Sequence, residues 1–358
     1  MKVAFFGESR HPNAAYWMDD LCSMFGLEVH AIDFEKPALP NRSIHQHVLP
    51  ARGPGKLRYL FSGRSLRRIL RKIRPDVVVA QRVTSYGFTA ARAGVRPLIL
   101  SAQGQNIVPK SSPPGSWLCA RHALRQADLI HAFAEHMAAA MRRLGADPSR
   151  IRVLPIGVRT DIFHPGPHTR GGCRIVSSRQ LAPYYRTDLL IRAVSRVRAL
   201  GTPAELWIAG EGPERPRLES LARELGCESA VRFLGGLRLE DLAEAYRQAS
   251  VYVSMVPTDG VSGSLLEAMS CGLIPVVVNN EPNRVWIEPG QGGLLVPPGD
   301  EGALAHALIE ALTGRGVLPH ARERNRDRIV SEADRRRNLG RMIGWWRDLA
   351  EKHVRDAG

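Results

Sequence analysis

The sequence predicts an α/β protein built from two doubly wound domains. Short apolar runs rich in β-branched residues alternate with stretches of helical periodicity, a pattern typical of parallel sheets with helices on both faces. The alternation stops at residues 158–172, which are rich in proline and glycine, and then starts again. A chain of 358 residues has the length of two ordinary domains.

Six apolar runs predict the strands of the first domain, and helical periods fall between most of them. The first run, KVAFFG, ends in a glycine and precedes a helical period. The predicted strands are 2–7, 28–34, 76–81, 97–102, 128–133 and 151–157, and the predicted helices include 13–26, 116–126 and 135–143.

The second domain repeats this pattern after the predicted linker. Its predicted strands are 173–178, 205–210, 231–235, 251–255 and 274–279, and its predicted helices are 187–200, 214–225, 239–248 and 264–271. A charged, amphipathic tail near 330–352 contains Trp345 and Trp346, and we expect it to pack on the first domain. The expected domains are therefore 1–160 and 172–330, followed by a C-terminal helix within 331–358.

The charge is strongly positive and unevenly distributed. The chain carries a formal net charge of +15, and residues 1–165 hold 24 Lys and Arg against 11 Asp and Glu, a net +13. The first half is therefore expected to face an anionic partner, which could be nucleic acid, phospholipid headgroups or a phosphorylated substrate. Aromatic residues are only 6% of the chain and are not interleaved with basic ones, which disfavours nucleic acid.

Several classes of protein are disfavoured by missing patterns. Five scattered cysteines without a CxxC pair indicate a reducing compartment, and no apolar run reaches the roughly 18 residues of a membrane span. The N-terminus has no signal-peptide pattern, so we expect a cytoplasmic protein, either soluble or bound to a membrane surface. No nucleotide-binding G-x-G-x-x-G, P-loop, H-E-x-x-H or G-x-S-x-G motif is present. Cys119 and His122 lack a second ligand pair, so no metal site is predicted.

The segment DGVSGSLLE places Asp259 and Glu267 at the two ends of a strand-to-helix turn. Glycines in the turn let a ligand approach the main chain, and the N–H groups at a helix start suit a phosphate. Each carboxylate could accept two hydroxyls of a sugar, which gives a site for a sugar diphosphate. The alternative is structural, because Ser264 and Glu267 have the spacing of a capping box and Asp-Gly is a common turn pair.

The same segment resembles the E-x7-E signature of retaining glycosyltransferases of family 4, which have the GT-B fold. Further resemblances follow in the family's order over about 150 residues of the chain. They are VLPIGV at 153–158 with FHP at 163–165, LWIAGEGP at 206–213, VRFLG at 231–235 and GLLVPPGD at 293–300.

The resemblance implies a fold, a reaction and a set of site residues. The fold is two Rossmann-like domains facing a central cleft, with a C-terminal helix returning to the N-terminal, acceptor-binding domain. The reaction moves a sugar from a nucleotide-diphosphate sugar to a glycan or lipid-linked acceptor with retention, without a metal or cofactor. Catalytic roles fall on Asp259, Arg179 and Arg186, and the donor-binding residues are Glu267, Gly260, Val261, Ser262, Gly263, Ser264, Leu265, Leu266, Gly210 and Glu211.

The chain departs from the family pattern at several of these positions. Asp259 stands where the family has glutamate, and Arg179 and Arg186 are spaced R-x6-R where R-x4-K is usual. Acceptor-side positions also differ, because Val79 and Gln81 replace two histidines, Gln103 replaces tryptophan and Asn106 replaces aspartate. His11 follows the first strand and is either a further acceptor-side residue or an ordinary surface residue.

Residues 56–74 are predicted to form a basic amphipathic helix. Leu66, Ile69, Leu70 and Ile73 make an apolar stripe, and the other faces carry arginine and lysine without any acid. This composition suits an anionic membrane surface. A domain helix with a solvated basic face explains the same pattern.

Three kinds of function remain open from the sequence. The first is a glycosyltransferase that builds a polysaccharide or a lipid-linked glycan. The second is a non-catalytic protein of the same fold that binds a nucleotide sugar or glycan as an assembly partner. The third is another enzyme of this fold, such as a nucleotide-sugar epimerase or a phosphorylase.

Overall fold

The computed structural model describes residues 1–10, 12–36, 39, 41–102, 115–166, 172–258, 260–316 and 319–357. The chain forms two compact units. One unit contains Met1–Pro155 together with Arg336–Gly358, and the other contains Ile156–Arg335.

The first unit contains a seven-stranded parallel sheet. Its strands are β1 (Lys2–Phe6), β2 (Glu28–Asp33), β3 (His45–Val48), β4 (Val77–Gln81), β5 (Leu98–Ala102), β6 (Leu129–Ala132) and β7 (Ile151–Val153), in the order β3-β2-β1-β4-β5-β6-β7. The strands coincide with the apolar runs because both faces of such a sheet are covered, and β4 and β5 are buried along their whole length. The edge strand β3 was not predicted, because its sequence HQHV is polar and mostly exposed.

Helices surround this sheet, and the C-terminal helix belongs to the same unit. They are α1 (Pro12–Ser23), α2 (Arg58–Phe61), α3 (Gly63–Ile73), α4 (Tyr86–Arg92), α5 (Ser116–Gln126), α6 (Glu135–Arg143) and the last helix of the chain, Arg335–Ala357. Trp346 of the last helix is fully buried, with its ring 6.3 Å from that of Trp17. Trp345 lies against His131, at a ring distance of 6.4 Å.

The basic segment 56–74 is not one continuous helix. A 3-10 turn at Gly55–Leu57 leads into α2, and Ser62 separates α2 from α3. The Ser62 hydroxyl accepts a hydrogen bond from the Arg52 N–H at 3.2 Å and faces the Pro50 carbonyl, so this point of the segment is tied to the preceding loop. Within α3 the predicted stripe faces inward, with Leu66, Leu70 and Ile73 buried.

The second unit contains a six-stranded parallel sheet. Its strands are β8 (Arg174–Ser177), β9 (Glu205–Ala209), β10 (Val231–Gly235), β11 (Val251–Ser254), β12 (Ile274–Val278) and β13 (Leu294–Val296), in the order β10-β9-β8-β11-β12-β13. Its helices are α7 (Thr187–Ala199), α8 (Arg215–Glu224), α9 (Leu239–Arg247), α10 (Gly263–Ser270), α11 (Glu281–Trp286), α12 (Glu301–Thr313) and α13 (Ala321–Glu332), so the last helix of the chain is α14.

Two apolar clusters cover the two faces of this second sheet. Ile175 and Val176 are neighbours in β8, yet Ile175 packs in one cluster and Val176 in the other, because successive side chains of a strand point to opposite faces. The three-residue strand β13 completes one edge. It was not predicted, because three residues are too few to show a strand pattern.

The segment that follows the first unit is packed rather than extended. The predicted strand 151–157 ends at Val153, and Val158 instead forms a bridge to Asp334. Val158 and Phe163 are buried in the second unit, and the Arg326 guanidinium binds the carbonyls of Phe163 and Thr160. The units therefore divide after Pro155, and residues 158–166 of the predicted linker belong to the second one.

Each sheet has one point where the order of its strands reverses. In the first unit β1 pairs with both β2 and β4, and in the second unit β8 pairs with both β9 and β11. In open α/β sheets, ligands bind beyond the carboxyl ends of the strands at such a switch point. The loops after β1, β4, β8 and β11 are therefore where a site is expected.

All five cysteines are free thiols. Among the described residues, no helix combines the length and the apolar character that crossing a bilayer requires.

Candidate functional site

The strongest polar cluster lies at the switch point of the second sheet. Arg179 follows β8 by two residues, and Ser254 is the last residue of β11. The Arg179 Nε donates to the Ser254 hydroxyl at 3.3 Å, and its guanidinium also donates to the Ser262 hydroxyl at the start of α10. One guanidinium thus joins the loops that follow the two central strands.

Two glycines shape the loop that carries Arg179. A Cβ on Gly210, directly after β9, would lie 2.0 Å from the Arg179 carbonyl oxygen. A Cβ on Gly212 would lie 2.3 Å from the Leu181 carbonyl oxygen. The two loops can pass this closely only where a side chain is missing. Gly210 is thus placed to hold Arg179 in position.

Glu211 lies between these glycines and has a different environment. Its carbonyl accepts from the Leu181 N–H at 2.9 Å, and its carboxylate pairs with Arg215 at 3.1 Å. More than half of its side chain is exposed. Glu211 thus supports the same loop through its main-chain carbonyl, and its carboxylate pairs with an arginine of α8.

Helix α10 begins at the turn that the sequence singled out. Its N-cap is Ser262, whose hydroxyl accepts from the Leu265 N–H at 3.3 Å. Gly263 and Ser264 are the first two helical residues, so their N–H groups have no acceptor within the helix. The capping-box interpretation is wrong, because it requires Ser264 to be the N-cap and Glu267 to be its third residue.

Glu267 is a partly buried carboxyl one turn into α10. Burial raises its pKa to about 7, while Arg335, Arg179 and a hydrogen bond from Tyr246 act in the opposite direction. Ionised Glu267 is therefore destabilised in the folded protein. Such a carboxylate gains most from a ligand that supplies two hydroxyl donors.

The hydroxyls of two tyrosines contact Ser264 at the start of α10. The Tyr252 hydroxyl lies 2.8 Å from that of Ser264, and the Tyr246 hydroxyl donates to the Ser264 carbonyl at 3.4 Å. Tyr246 also bonds the hydroxyl of Ser178, which precedes Arg179. Sequence reasoning missed both tyrosines and Arg335, because no local motif marks them and Arg335 is distant from them in the chain.

The remaining predicted donor residues fall into two groups. Leu265 and Leu266 are buried at 1% exposure in the apolar core, and Val261 packs against that core, so their side chains are structural. Gly260 is buried in the turn, whereas Gly263 is exposed and has open space where a Cβ would lie. Gly263 thus leaves room beside the first N–H groups of the helix.

Arg186 and Asp259 stand apart from the cluster for different reasons. Arg186 has a left-handed backbone with a φ of 52° before α7, and its guanidinium pairs with Asp188 at 3.4 Å. Asp259 lies outside the described residues. Its neighbour Thr258 accepts a hydrogen bond from the Tyr184 hydroxyl at 2.6 Å, which ties the turn to the loop after β8.

A second group of polar residues surrounds the switch point of the first sheet. Gln81 ends β4, and a Cβ on Gly7 after β1 would lie 2.3 Å from the Gln81 amide oxygen. The Gln81 Nε2 and the Ser101 hydroxyl are buried without a hydrogen-bond partner among the described residues. Unpaired buried donors at this position suit a polar ligand. Val79 is fully buried within β4.

At the end of the neighbouring strand β2, the polar side chain is hydrogen-bonded. Asp33, the last residue of β2, accepts from the hydroxyls of Ser9 and Tyr86 at 2.9 and 3.0 Å. Burial, followed by the charge of Asp33, raises the pKa of Tyr86. The other predicted acceptor-side residues, His11, Gln103 and Asn106, lie outside the described residues.

Two family models together match most of the chain. Residues 22–157 match the glycosyl transferase 4-like domain, and residues 159–333 match the glycosyl transferases group 1 domain. The chain belongs to the glycosyl transferases group 1 family. The group 1 domain contains the whole Arg179, Ser262 and Glu267 cluster, and the 4-like domain contains Gln81 and Ser101.

Several curated relatives of this family are similar in sequence. A D-inositol 3-phosphate glycosyltransferase of Acidothermus cellulolyticus is 32% identical over 59% of this chain and 51% of its own. A GDP-mannose-dependent alpha-(1-6)-phosphatidylinositol monomannoside mannosyltransferase of Mycolicibacterium smegmatis is 28% identical over 63% of each chain. The chain thus spans between about half and two-thirds of the length of these two relatives.

Solved structures of the same fold match nearly the whole chain. Anabaena Alr3699/HepE in complex with UDP has a TM-score of 0.81 at 18% identity, covering 98% of this chain and all of that one. Sucrose-phosphate synthase of Thermosynechococcus elongatus has a TM-score of 0.78 at 18% identity, covering 98% of this chain and 99% of its own. These matches establish the fold as GT-B, as predicted from the sequence.

Proposed function

We propose that the protein is a retaining glycosyltransferase that transfers a sugar from a nucleotide-diphosphate sugar to an acceptor hydroxyl. The observation that carries this proposal is the cluster of Arg179, Ser262 and Glu267 at the switch point of the second sheet. It combines a cation, a helix start and a carboxyl, which are the three groups that a sugar nucleotide needs.

The diphosphate would lie between Arg179 and the start of α10. A guanidinium can donate two hydrogen bonds to phosphate oxygens, and the positive end of the helix dipole adds to that attraction. Arg179 now donates to two serine hydroxyls, Ser254 and Ser262, which keep the guanidinium oriented before the ligand arrives. Gly263 leaves the space that a phosphate needs near the main chain.

The nucleoside ribose would bind Glu267. Its two hydroxyls can donate to the two carboxylate oxygens, and this pairing favours the ionised carboxyl. Asp259 is proposed to bind the transferred sugar, and Arg186 to assist at the diphosphate after leaving Asp188. Gly260, Val261, Ser262, Gly263, Ser264, Leu265 and Leu266 would contact the donor through their main chain or, for the serines, their hydroxyls.

The chemical step requires stabilisation of the departing diphosphate. Arg179 and the N–H groups of Gly263 and Ser264 are placed to bind the charge that develops on it. The leaving phosphate would also take the proton of the attacking acceptor hydroxyl on the same face of the sugar, so that the configuration is retained. Gln81 and Ser101 would hold the acceptor through hydrogen bonds.

The acceptor is proposed to be anionic, as a glycan or lipid-linked glycan bearing phosphate. The names of the two relatives include D-inositol 3-phosphate and phosphatidylinositol monomannoside, which both carry phosphate. The net charge of +13 over residues 1–165 would attract such a molecule to the first unit.

A membrane-bound acceptor would also require the enzyme to lie at a cytoplasmic membrane surface. Arg64, Arg68, Arg71 and Lys72 are exposed on α3, and the apolar Leu57 and Phe61 before it are about half exposed. This combination suits the interface of an anionic bilayer, where each basic residue near the surface contributes about 1 kcal/mol.

Thermal shift with UDP, GDP, ADP, dTDP and CMP, without added metal, tests the donor site. A nucleotide at 100 times its dissociation constant stabilises a protein by about 2.7 kcal/mol. We expect one nucleotide to stabilise the wild type, but not Glu267→Ala or Arg179→Ala. Arg217→Ala, which removes an exposed arginine paired with Glu214, is the matched control and should respond like the wild type.

The selected nucleotide then identifies sugar donors for a transfer assay. Release of nucleotide that depends on an acceptor supports a transferase. Saturable binding without turnover would instead indicate a non-catalytic binding protein, and conversion of the donor without acceptor would indicate an epimerase. If no nucleotide shifts the melting temperature, the proposed donor site is wrong.

Vesicle sedimentation tests the surface of α3 separately. We expect binding to vesicles that contain phosphatidylglycerol but not to pure phosphatidylcholine, and binding should weaken with salt because exposed charges are screened. Replacing Arg64, Arg68 and Arg71 with glutamate should abolish it. The same exchange at the exposed Arg347, Lys352 and Arg355 of α14 controls for net charge, and equal loss in both variants would contradict a specific surface.

A further inference from the structure

Three side chains that commonly bind metals meet at the edge of the first sheet. Glu28 and His30 lie two residues apart in β2, so both face the same side of the sheet. His45 is the partner of His30 in the adjacent edge strand β3. Glu28, His30 and His45 can each offer one ligand atom such that all three atoms lie within 4.8 Å of one another.

We propose that Glu28, His30 and His45 form a binding site for a divalent transition-metal ion such as Zn²⁺. Two imidazoles and one carboxylate are a common set of three protein ligands, with water completing the coordination. The site lies in the first unit and is independent of the proposed transferase activity.

Metal binding requires the exposed His45 ring to rotate out of its stack with His30, because stacked imidazoles direct their in-plane lone pairs in parallel. Around a tetrahedral zinc ion with bonds of about 2.0 Å, the ligand atoms lie about 3.3 Å apart. The His30 Nε2 and a Glu28 oxygen are already 2.9 Å apart, and the rings of His30 and His45 are stacked at 4.6 Å. Glu28 and His45 are exposed, so their side chains can adjust, whereas His30 is buried and anchors the site.

A fourth residue, His47, orients the buried ligand. Its Nε2 lies 2.9 Å from the Nδ1 of His30, so the two rings share one hydrogen bond. When the His30 Nδ1–H donates to His47, the lone pair of His30 Nε2 faces the Glu28 carboxylate. In this tautomer both Nε2 and the carboxylate are acceptors, so a cation can bind them together. Metal-bound histidines generally donate their second N–H to such a partner.

Lys2 is the competing cation at this site. Its Nζ lies 3.1 Å from the same Glu28 oxygen, and it also donates to the Ile73 carbonyl at 3.2 Å. A metal ion would therefore displace Lys2 from Glu28. We expect Lys2→Gln to tighten metal binding, whereas removal of a ligand should weaken it.

Metal binding would tie the edge strand to the sheet. Strand β3 has four residues, is mostly exposed and, among the strands of the described residues, pairs with β2 alone. A metal ion shared between His30 and His45 would add a strong link across that pair. Hydrogen exchange of the backbone in His45–Val48 should therefore slow when Zn²⁺ binds.

Calorimetric titration of the chelator-treated full-length chain with Zn²⁺ tests the site. We expect one equivalent to bind with micromolar or tighter affinity, and Co²⁺ should give the visible absorption of a four-coordinate ion. His45→Gln and Glu28→Gln should each weaken binding at least tenfold, and His47→Gln by about tenfold. Both ligand variants change exposed side chains, so we expect them to fold.

The control is His306→Gln. The exposed His306 lies 3.4 Å from the half-buried Glu310 on α12, a pair that has the residue types of the cluster with a single histidine. This variant should bind Zn²⁺ like the wild type. The proposal is overturned if the wild type takes up no saturating equivalent, if His45→Gln binds unchanged, or if Lys2→Gln weakens binding. In the first case, the cluster is a hydrogen-bonded histidine chain without metal.

Discussion

Replacing Glu267 with glutamine is expected to make the unliganded protein more stable at alkaline pH. The carboxyl has a pKa of about 7 in the folded protein, against 4.5 for the ordinary group. The folded state therefore holds the proton more tightly than the unfolded state, and stability falls as pH rises from about 4.5 to 7. Glutamine has nearly the same shape and does not titrate, so it avoids this loss.

The size of the effect follows from the pKa difference. One pKa unit corresponds to about 1.4 kcal/mol, so the difference between 4.5 and about 7 amounts to about 3.5 kcal/mol above pH 8. Because Glu267 is partly exposed, this value is an upper bound. For a unit the size of Ile156–Arg335, 1 kcal/mol changes the melting temperature by about 2–4 °C, which gives at most about 7–14 °C.

Thermal melting at pH 5 and pH 8.5, without nucleotide, measures the effect. The gap between Glu267→Gln and wild type should widen by several degrees from pH 5 to pH 8.5. Glu224→Gln, which changes an exposed carboxylate on α8, should show no such widening. If Glu267→Gln is less stable than wild type at pH 8.5, or if the gap does not depend on pH, the assignment of a raised pKa is refuted.

Three further predictions concern the same unit. Affinity for a nucleotide sugar, measured by calorimetry, should rise about tenfold from pH 6 to pH 8 as Glu267 ionises. The affinity of Glu267→Gln should not change over this range, because the phosphates of a nucleotide sugar are diesters and do not titrate between pH 6 and pH 8. Gly263→Ala should leave the melting temperature unchanged but weaken nucleotide binding at least tenfold. Gly210→Ala should weaken nucleotide binding and also lower stability by about 1–3 kcal/mol, because the added Cβ meets the Arg179 carbonyl. Arg326→Ala should destabilise the protein by about 2–4 kcal/mol in denaturant melts by releasing residues 160–163, and a loss no larger than that of the exposed Arg324→Ala would contradict this role.

The raised pKa of Glu267 favours a ligand site at this position, because the ionised carboxylate destabilises the unliganded protein. A carboxyl that is held partly buried with a pKa near 7 destabilises the unliganded fold. Such groups concentrate at functional sites, where a ligand compensates for the cost. The expected gain in stability and loss of binding in the same variant would therefore distinguish a ligand site from a structural ion pair.

Most of the fold could be predicted from sequence because buried parallel strands are continuous apolar runs. The runs around Val77–Gln81 and Ile274–Val278 identified central strands without any other information. The same reasoning missed His45–Val48, because an edge strand of polar residues has no such pattern. Sequence reasoning also extended the strand that begins at Ile151 too far, because no local pattern shows that Val158 pairs with Asp334 in the other unit.

The candidate site was predicted less completely, since its residues are distant in the chain. The turn between Asp259 and Glu267 predicts a phosphate site, and the position of Arg179 after a strand predicts that it belongs to that site. The sequence allows a capping box at Ser264 and Glu267, and the structure excludes it because Ser262 is the N-cap. The role of Gly210 beneath Arg179 also required coordinates, because a close approach of two loops leaves no local pattern.

The sequence by itself determined the two α/β domains, the resemblance to a family and the turn that begins α10. These features depend on neighbouring residues, whose hydrophobic period and turn chemistry are readable in order. Only the tertiary structure decided the pKa of Glu267, which burial raises and which Arg335, Arg179 and Tyr246 lower. It alone brought Glu28, His30 and His45 together, because the pairing register of β2 and β3 is a property of the folded sheet.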